Sequence, residues 1–391
     1  MTNQNFNEVI DRRNSFATKY EELTEKYGRN DIMPLWIADM DFATPQPIID
    51  SLHRCIDTRV LGYTTAPAEF WNAIADWLRR RHNWQLERSD IDFLPGVKKG
   101  FGLALNYFTE KGDKIVIQPP VYHSFHSVIE GNGRIVVNNP LLLTADGSYR
   151  MDLEGLERIA AEEKPAMVVV CNPHNPVGVQ WQAEELRTVA EICSRHNIIL
   201  LSDEIYGDMV LDNRTHIPTA MVSDTAADVT VTIGAPSKSF NIPGISSAWT
   251  VIKSERLRNG FFAWLKASEF DTAPTCAIAA TTAAYTQCDE WLDSVLEYIA
   301  DNCRFACEYI KNNIPDVSAN VPEAGFGLWI DFRKKTADHD QLCRLIIDKG
   351  HLAISGGTTF GEEGAGFMRL NTGVPRSELL AGLERLKKAF E

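Results

Sequence analysis

From about residue 100 to 285 the chain alternates short apolar runs with longer stretches of helical periodicity. LALNYFT precedes KGDKIVIQPP, GLERIAAEEKP precedes AMVVVCNP, and EELRTVAEICSRHN precedes IILLSDE; VTVTIGAPSK and SSAWTVI follow. The runs are rich in Val and Ile, stop at Asn, Asp or Pro, and are separated by helical patterns. That combination predicts parallel strands buried on both faces and joined by helices. The expectation is a large three-layer α/β/α domain with a mostly parallel sheet over residues 46–285. Its ligand should sit beyond the carboxyl ends of the strands.

The rest of the chain has a different rhythm. WLDSVLEYIADNCRFACEYIKNN reads as one long helix and GFGLWIDF as an alternating strand. HDQLCRLIIDKG looks helical, HLAISGG and FMRLN look extended, and SELLAGLERLKKAFE closes the chain as a helix. Residues 286–391 therefore form a smaller α+β domain. Residues 1–45 are polar until PLWIADMDFATP and cannot build a core alone; they are expected to pack with the small domain.

At 391 residues, 44% hydrophobic and 24% charged, the chain has the composition of a globular protein with a sizeable core. Its formal net charge of −14 disfavours a phosphate backbone or an anionic membrane surface as partner. Its longest uncharged stretch, residues 165–183, holds two Asn, a His and three Pro, which a bilayer core would not accept. The opening MTNQNFNEVIDRR meets charges before any apolar run and does not read as a signal peptide. Eight scattered cysteines without a CxxC pair fit reduced thiols in the cytoplasm.

Several catalytic signatures are missing: GxxxxGK[ST], GxSxG, HExxH, and a GxGxxG between strand and helix. His123 and His126 are spaced HxxH but lack a third ligand at sensible spacing, so no metal is expected. Asp39 and Asp41 alternate with Met40 and Phe42 and are read as turn-shaping rather than as an acid–base pair. What remains is a series of polar residues at strand ends: Asn172-Pro-His-Asn175-Pro-Val-Gly178, Ser202-Asp203-Glu-Ile-Tyr206, and Ala235-Pro-Ser237-Lys238-Ser-Phe. Each fragment alone is turn chemistry. In this order they converge on one crevice.

With PLWIADMDF, LGYTTAP, FLPGV, PPVYHSF, NPHNPVG, SDEIYGD and SKSFNIPG, the sequence resembles the fold-type I pyridoxal-phosphate (PLP) enzymes, the aspartate aminotransferase superfamily. Within it the chain is most similar to the MalY/PatB-type cystathionine β-lyases, from Trp36 to the terminal helix. The resemblance implies that Lys238 forms the Schiff base with PLP. Asp203 would face the pyridine nitrogen, Asn175 and Tyr206 the ring oxygen, and Tyr122 the ring face. Val97 and Lys98 backbone N–H groups and the Ser237 hydroxyl would hold the phosphate, and Tyr63 would reach in from the partner subunit of a homodimer. Arg369, with Ala38, Tyr122 and Asn175, would bind the substrate; Lys238, Asp203 and Tyr206 would be the catalytic group.

The implied reaction is β-elimination from L-cystathionine or a related cysteine S-conjugate, giving a thiol, pyruvate and ammonia. The alternatives are a class I/II aminotransferase and a regulatory protein on the same scaffold. The chain departs from many aminotransferases in two places: Ser246 stands where they carry a phosphate-binding Arg, and Ala235 where they carry a Ser. Lys98 and Lys99 replace small or apolar residues of the lyases. They are expected either to supply the missing positive charge or to face solvent at a helix start.

Overall fold

The computed structural model describes residues 4–336 and 338–391. After two short helices, Thr18–Glu21 and Leu23–Tyr27, come the helices α1 (Gln46–Asp57) and α2 (Ala68–His82), then strand β1 (Ile91–Leu94) and helix α3 (Val97–Phe108). Five more strands follow with intervening helices: β2 (Lys114–Ile117), β3 (Ile135–Asn138), β4 (Met167–Cys171), β5 (Ile199–Asp203) and β6 (Thr230–Gly234). Strand β7 (Ala248–Val251) completes a seven-stranded sheet of order β1-β7-β6-β5-β4-β2-β3. Strands β4 and β6 are buried along their whole length and β5 at all but its first residue, Ile199, which explains their apolar runs.

One expected parallel strand runs the other way. SSAWTVI forms β7, which is antiparallel to both β1 and β6. Only residues 235–247 separate β6 from β7, and they hold a single 3-10 turn at Pro243–Ile245. That link has no crossover helix, so the chain turns back beside the strand it has just left.

Helix α4 (Thr275–Gln287) packs on α1 and α2, and the 25-residue helix α5 (Asp289–Asn313) follows. Its first half, with Trp291, Val295 and Ile299, belongs to the core beneath the large sheet. Its second half, with Ala306 and Ile310, belongs to the core of a four-stranded antiparallel sheet. That sheet has the order β8-β9-β11-β10, from β8 (Ser318–Ala319), β9 (Gly327–Asp331), β10 (Ser355–Gly356) and β11 (Phe367–Asn371).

The N-terminal segment touches both parts. Met33–Pro34 pairs in parallel with Leu352–Ala353 beside the small sheet, while Phe6 packs edge-on against Phe42 and Trp291. Residues 35–42 then pass between the two sheets: Asp41 N–H donates to the Gly373 carbonyl at 2.9 Å, and Met40 N–H to Asn241 Oδ1 at 3.0 Å.

Candidate active site

The carboxyl ends of β4, β5 and β6 open onto a cavity of about 1460 Å³ between the two sheets. Ala38, Val97, Lys98, Tyr122, Asn175, Asp203, Tyr206, Ser237, Lys238 and Arg369 all line it. Tyr63 does not; its side chain is fully exposed on the surface. The sequence-derived residues thus meet in one place, except the one assigned to a neighbouring subunit.

Each is placed by an element that ends at the cavity. Asp203 is the last residue of β5; its Oδ1 accepts the Ile205 N–H at 3.1 Å, and no cationic group pairs with it among the described residues. Burial pushes this carboxyl up to about 7, with the nearby Glu204 adding to the shift. Lys238 follows β6 in a turn closed by Ile242 N–H donating to the Ser237 carbonyl at 3.0 Å. Its ammonium donates to the Ala38 carbonyl. Desolvation pushes Lys238 down to about 8, so a substantial neutral fraction exists near physiological pH.

Arg369 sits mid-strand in β11 and is buried. Its guanidinium donates to Asn175 Oδ1 at 3.0 Å and to the Trp36 carbonyl at 2.9 Å, and it lies over the Phe360 ring. None of these partners is an anion. Burial therefore lowers its pKa, and the guanidinium can pair with an incoming anion.

At the other end of the cavity, Gly96 has φ +110°, a region closed to L side chains, and this lets the chain turn sharply from β1 into α3. The Gly96 carbonyl accepts the Gly100 N–H at 2.8 Å, which leaves the N–H groups of Val97, Lys98 and Lys99 without an acceptor among the described residues. Lys98 and Lys99 are exposed at the cavity rim and have no carboxylate partner among the described residues. Ser246 lines the same region, its Cα 4.0 Å from where a Gly96 Cβ would stand. A turn of free N–H groups flanked by two lysines and no acid is an anion cradle.

Tyr122 and Tyr206 are largely buried, and desolvation raises both phenols. Tyr122 meets Phe125 edge-on, and Tyr206 meets Phe326 in the same way. His123, beside Tyr122, is pushed down to about 4 by burial and by the charges of Arg369, Lys26 and Lys98, so it is neutral at physiological pH.

Three sets of supporting residues escaped the sequence reading. Asn241 stitches residues 40–42 to the Lys238 turn, its Nδ2 donating to the Met40 and Phe42 carbonyls at 2.9 and 2.8 Å. Asp208 accepts from Trp77 Nε1 at 2.9 Å and from Ser239 Oγ at 3.1 Å, and pairs with His82 at 2.7 Å, bracing the residue next to Lys238. Asp39 and Asp41 do more than shape a turn. Arg12 bridges them at 2.6 and 2.9 Å, and the buried Lys19 ammonium also binds Asp41. Only the motif SKSFNIPG hinted at Asn241; the carboxylate partners lie too far away in sequence to be read.

Residues 30–386 match the model of the family described as aminotransferase class I and II. Cystathionine beta-lyase PatB of Bacillus subtilis (strain 168) is 36% identical over 386 residues, covering 99% of this chain and 100% of that protein. Protein MalY of Escherichia coli (strain K12) is 33% identical over 387 residues, covering 98% of each. The crystal structure of cystalysin from Treponema denticola, which contains a pyridoxal 5'-phosphate cofactor, is similar with a TM-score of 0.94 and 32% identity. That likeness covers 99% of this chain and 98% of the other.

Proposed function

The chain belongs to the aminotransferase class I and II family, and we propose that it is a PLP-dependent carbon–sulfur β-lyase. It cleaves L-cystathionine, or a related cysteine S-conjugate, with water to a thiol, pyruvate and ammonia. The observation that carries this reading is the conjunction, in one cavity, of a desolvated Lys238 amine with Asp203 and Arg369, neither of which has an ionic partner among the described residues.

The donor set fits PLP. The free N–H groups after Gly96 and the Ser237 hydroxyl suit its phosphate, and the Asp203 carboxylate suits its ring nitrogen. Asn175 and Tyr206 offer donors for the ring oxygen, Tyr122 offers an aromatic face, and Lys238 is the amine that attaches it. When bound, PLP supplies a protonated ring that takes up the electron pair left at the substrate Cα.

The protein decides which bond breaks. Arg369 receives the α-carboxylate in a bidentate pair and thereby fixes the orientation of Cα. The Lys238 amine removes the Cα proton as general base, and loss of the thiolate from Cβ follows. Asp203 holds a proton at the ring nitrogen throughout. A second copy of the chain contributes Tyr63 to the cavity, so the working form is a homodimer with shared sites, and its compartment is the cytoplasm.

The deciding experiment is an assay with L-cystathionine and no keto-acid acceptor. Stoichiometric pyruvate and free thiol establish the lyase. Amino-group transfer to an added keto acid, with no pyruvate from L-cystathionine, replaces it with an aminotransferase.

A further inference from the structure

Asp39 lies one residue after the carbonyl that holds the Lys238 ammonium, and both residues line the cavity. Its Oδ2 is clamped by Arg12 Nη2 at 2.6 Å. Its Oδ1 is buried and has no hydrogen-bond partner among the described residues. A buried carboxylate oxygen without a donor is costly, and here it belongs to the residue that directly follows the carbonyl holding the Lys238 ammonium.

We infer that Asp39 is a positioning residue acting through Lys238: with the Ala38 carbonyl it forms an anionic dock that receives the Lys238 ammonium whenever that amine has taken up a proton. The inference rests on the reading of Lys238 as general base. In that step the substrate Cα–H bond breaks, its electron pair stays with the carbon, and an N–H bond forms at Lys238 Nζ. The positive charge created there is met by Asp39.

Asp39 shares Arg12 with Asp41, which Lys19 also holds, so the dock is fixed in place by the N-terminal segment. Around Lys238, Asp39 and Asp203 favour the ammonium and Arg369 opposes it. The phenols of Tyr122 and Tyr206 are raised and stay neutral.

The test uses the full chain stripped of PLP, with Lys238 acetylated by acetic anhydride over a range of pH and the labelled peptide quantified by mass spectrometry. The wild-type midpoint is expected at about 8. In Asp39→Asn it falls by ~1 unit or more, as expected for loss of a nearby opposite charge, and Asp39→Glu restores it in part. In Arg12→Met, where Asp39 loses its competing cation, the midpoint rises. Opposite shifts in the two variants cannot come from general loosening, and Arg12→Met carries the test should Asp39→Asn fail to fold. An unchanged midpoint in folded Asp39→Asn, or shifts of the same sign in both, overturns the dock. If the midpoints shift as stated but the PLP-loaded wild type makes no pyruvate, the dock stands and the lyase reading falls.

Discussion

Arg369 donates to the carbonyl of Trp36 at 2.9 Å, so a buried guanidinium from the small sheet is held by the backbone of the N-terminal segment. This contact orients the fork without neutralising it. Replacing Arg369 by Lys keeps the charge but loses the planar pair of donors. The expected result is a ~10–100-fold fall in kcat/KM for amino-acid substrates, equivalent to one charged hydrogen bond. Steady-state kinetics check it; unchanged kinetics would remove Arg369 from substrate binding.

Lys238→Ala should replace the Schiff-base absorption band of the PLP-loaded protein by that of the free aldehyde and lower pyruvate formation by ~10²–10⁴-fold or more, the contribution of a positioned general base. Exogenous methylamine should restore part of the rate, because the missing group is a small amine. A variant that kept its rate would move the base to another residue.

Asp203 makes stability depend on pH in the cofactor-free protein. Its carboxyl keeps a proton up to about 7 in the folded state, against 3.8 for a free aspartate side chain. Between those values the folded state binds more protons than the unfolded one, so stability falls as pH rises from about 4 to about 7. The loss is on the order of 4 kcal/mol. PLP, with a cation for Asp203 to face, should flatten the profile. Urea titrations at several pH values, with and without PLP, would show it, and a flat profile in Asp203→Asn would assign it.

Tyr63 offers a test of the shared site. Lys238→Ala and Tyr63→Ala are each expected to be weakly active alone. Mixed after partial unfolding and refolding, they should recover about a quarter of wild-type activity, since half of the dimers then carry one intact site. No recovery would place Tyr63 outside the partner's cavity.

Much of this site was readable because parallel strands announce themselves and deliver their last residues to one edge. Asp203 and Lys238 follow directly from the ends of IILLSD and VTVTIG. The direction of β7 was not readable, since it depends on the length of a link rather than on the strand's own pattern. Nor was the pairing of Asp39 with Arg12, which meet across 27 positions. Nor was Asn241, whose carbonyl partners lie about 200 positions away. Local patterning names a residue's face; it does not name its distant partner.

Asn302, on α5, is fully buried and donates to the Thr372 and Val374 carbonyls at 2.9 and 2.8 Å while accepting from Arg376 Nε at 2.7 Å. Asn302→Ala would strand those groups and should cost about 3 kcal/mol. A shift of the urea midpoint with unchanged slope would confirm that the loss is local.

The same helix governs how the molecule comes apart. Because Val295 and Ile299 belong to one core and Ala306 and Ile310 to the other, neither sheet can melt without baring half of a continuous apolar stripe. A protein cut at residue 285 would not yield two independent folding units, because the second fragment would carry Trp291 and Leu292 into water. Heat should therefore dismantle both sheets in a single cooperative transition, and calorimetry should record one peak where a two-domain outline would suggest two.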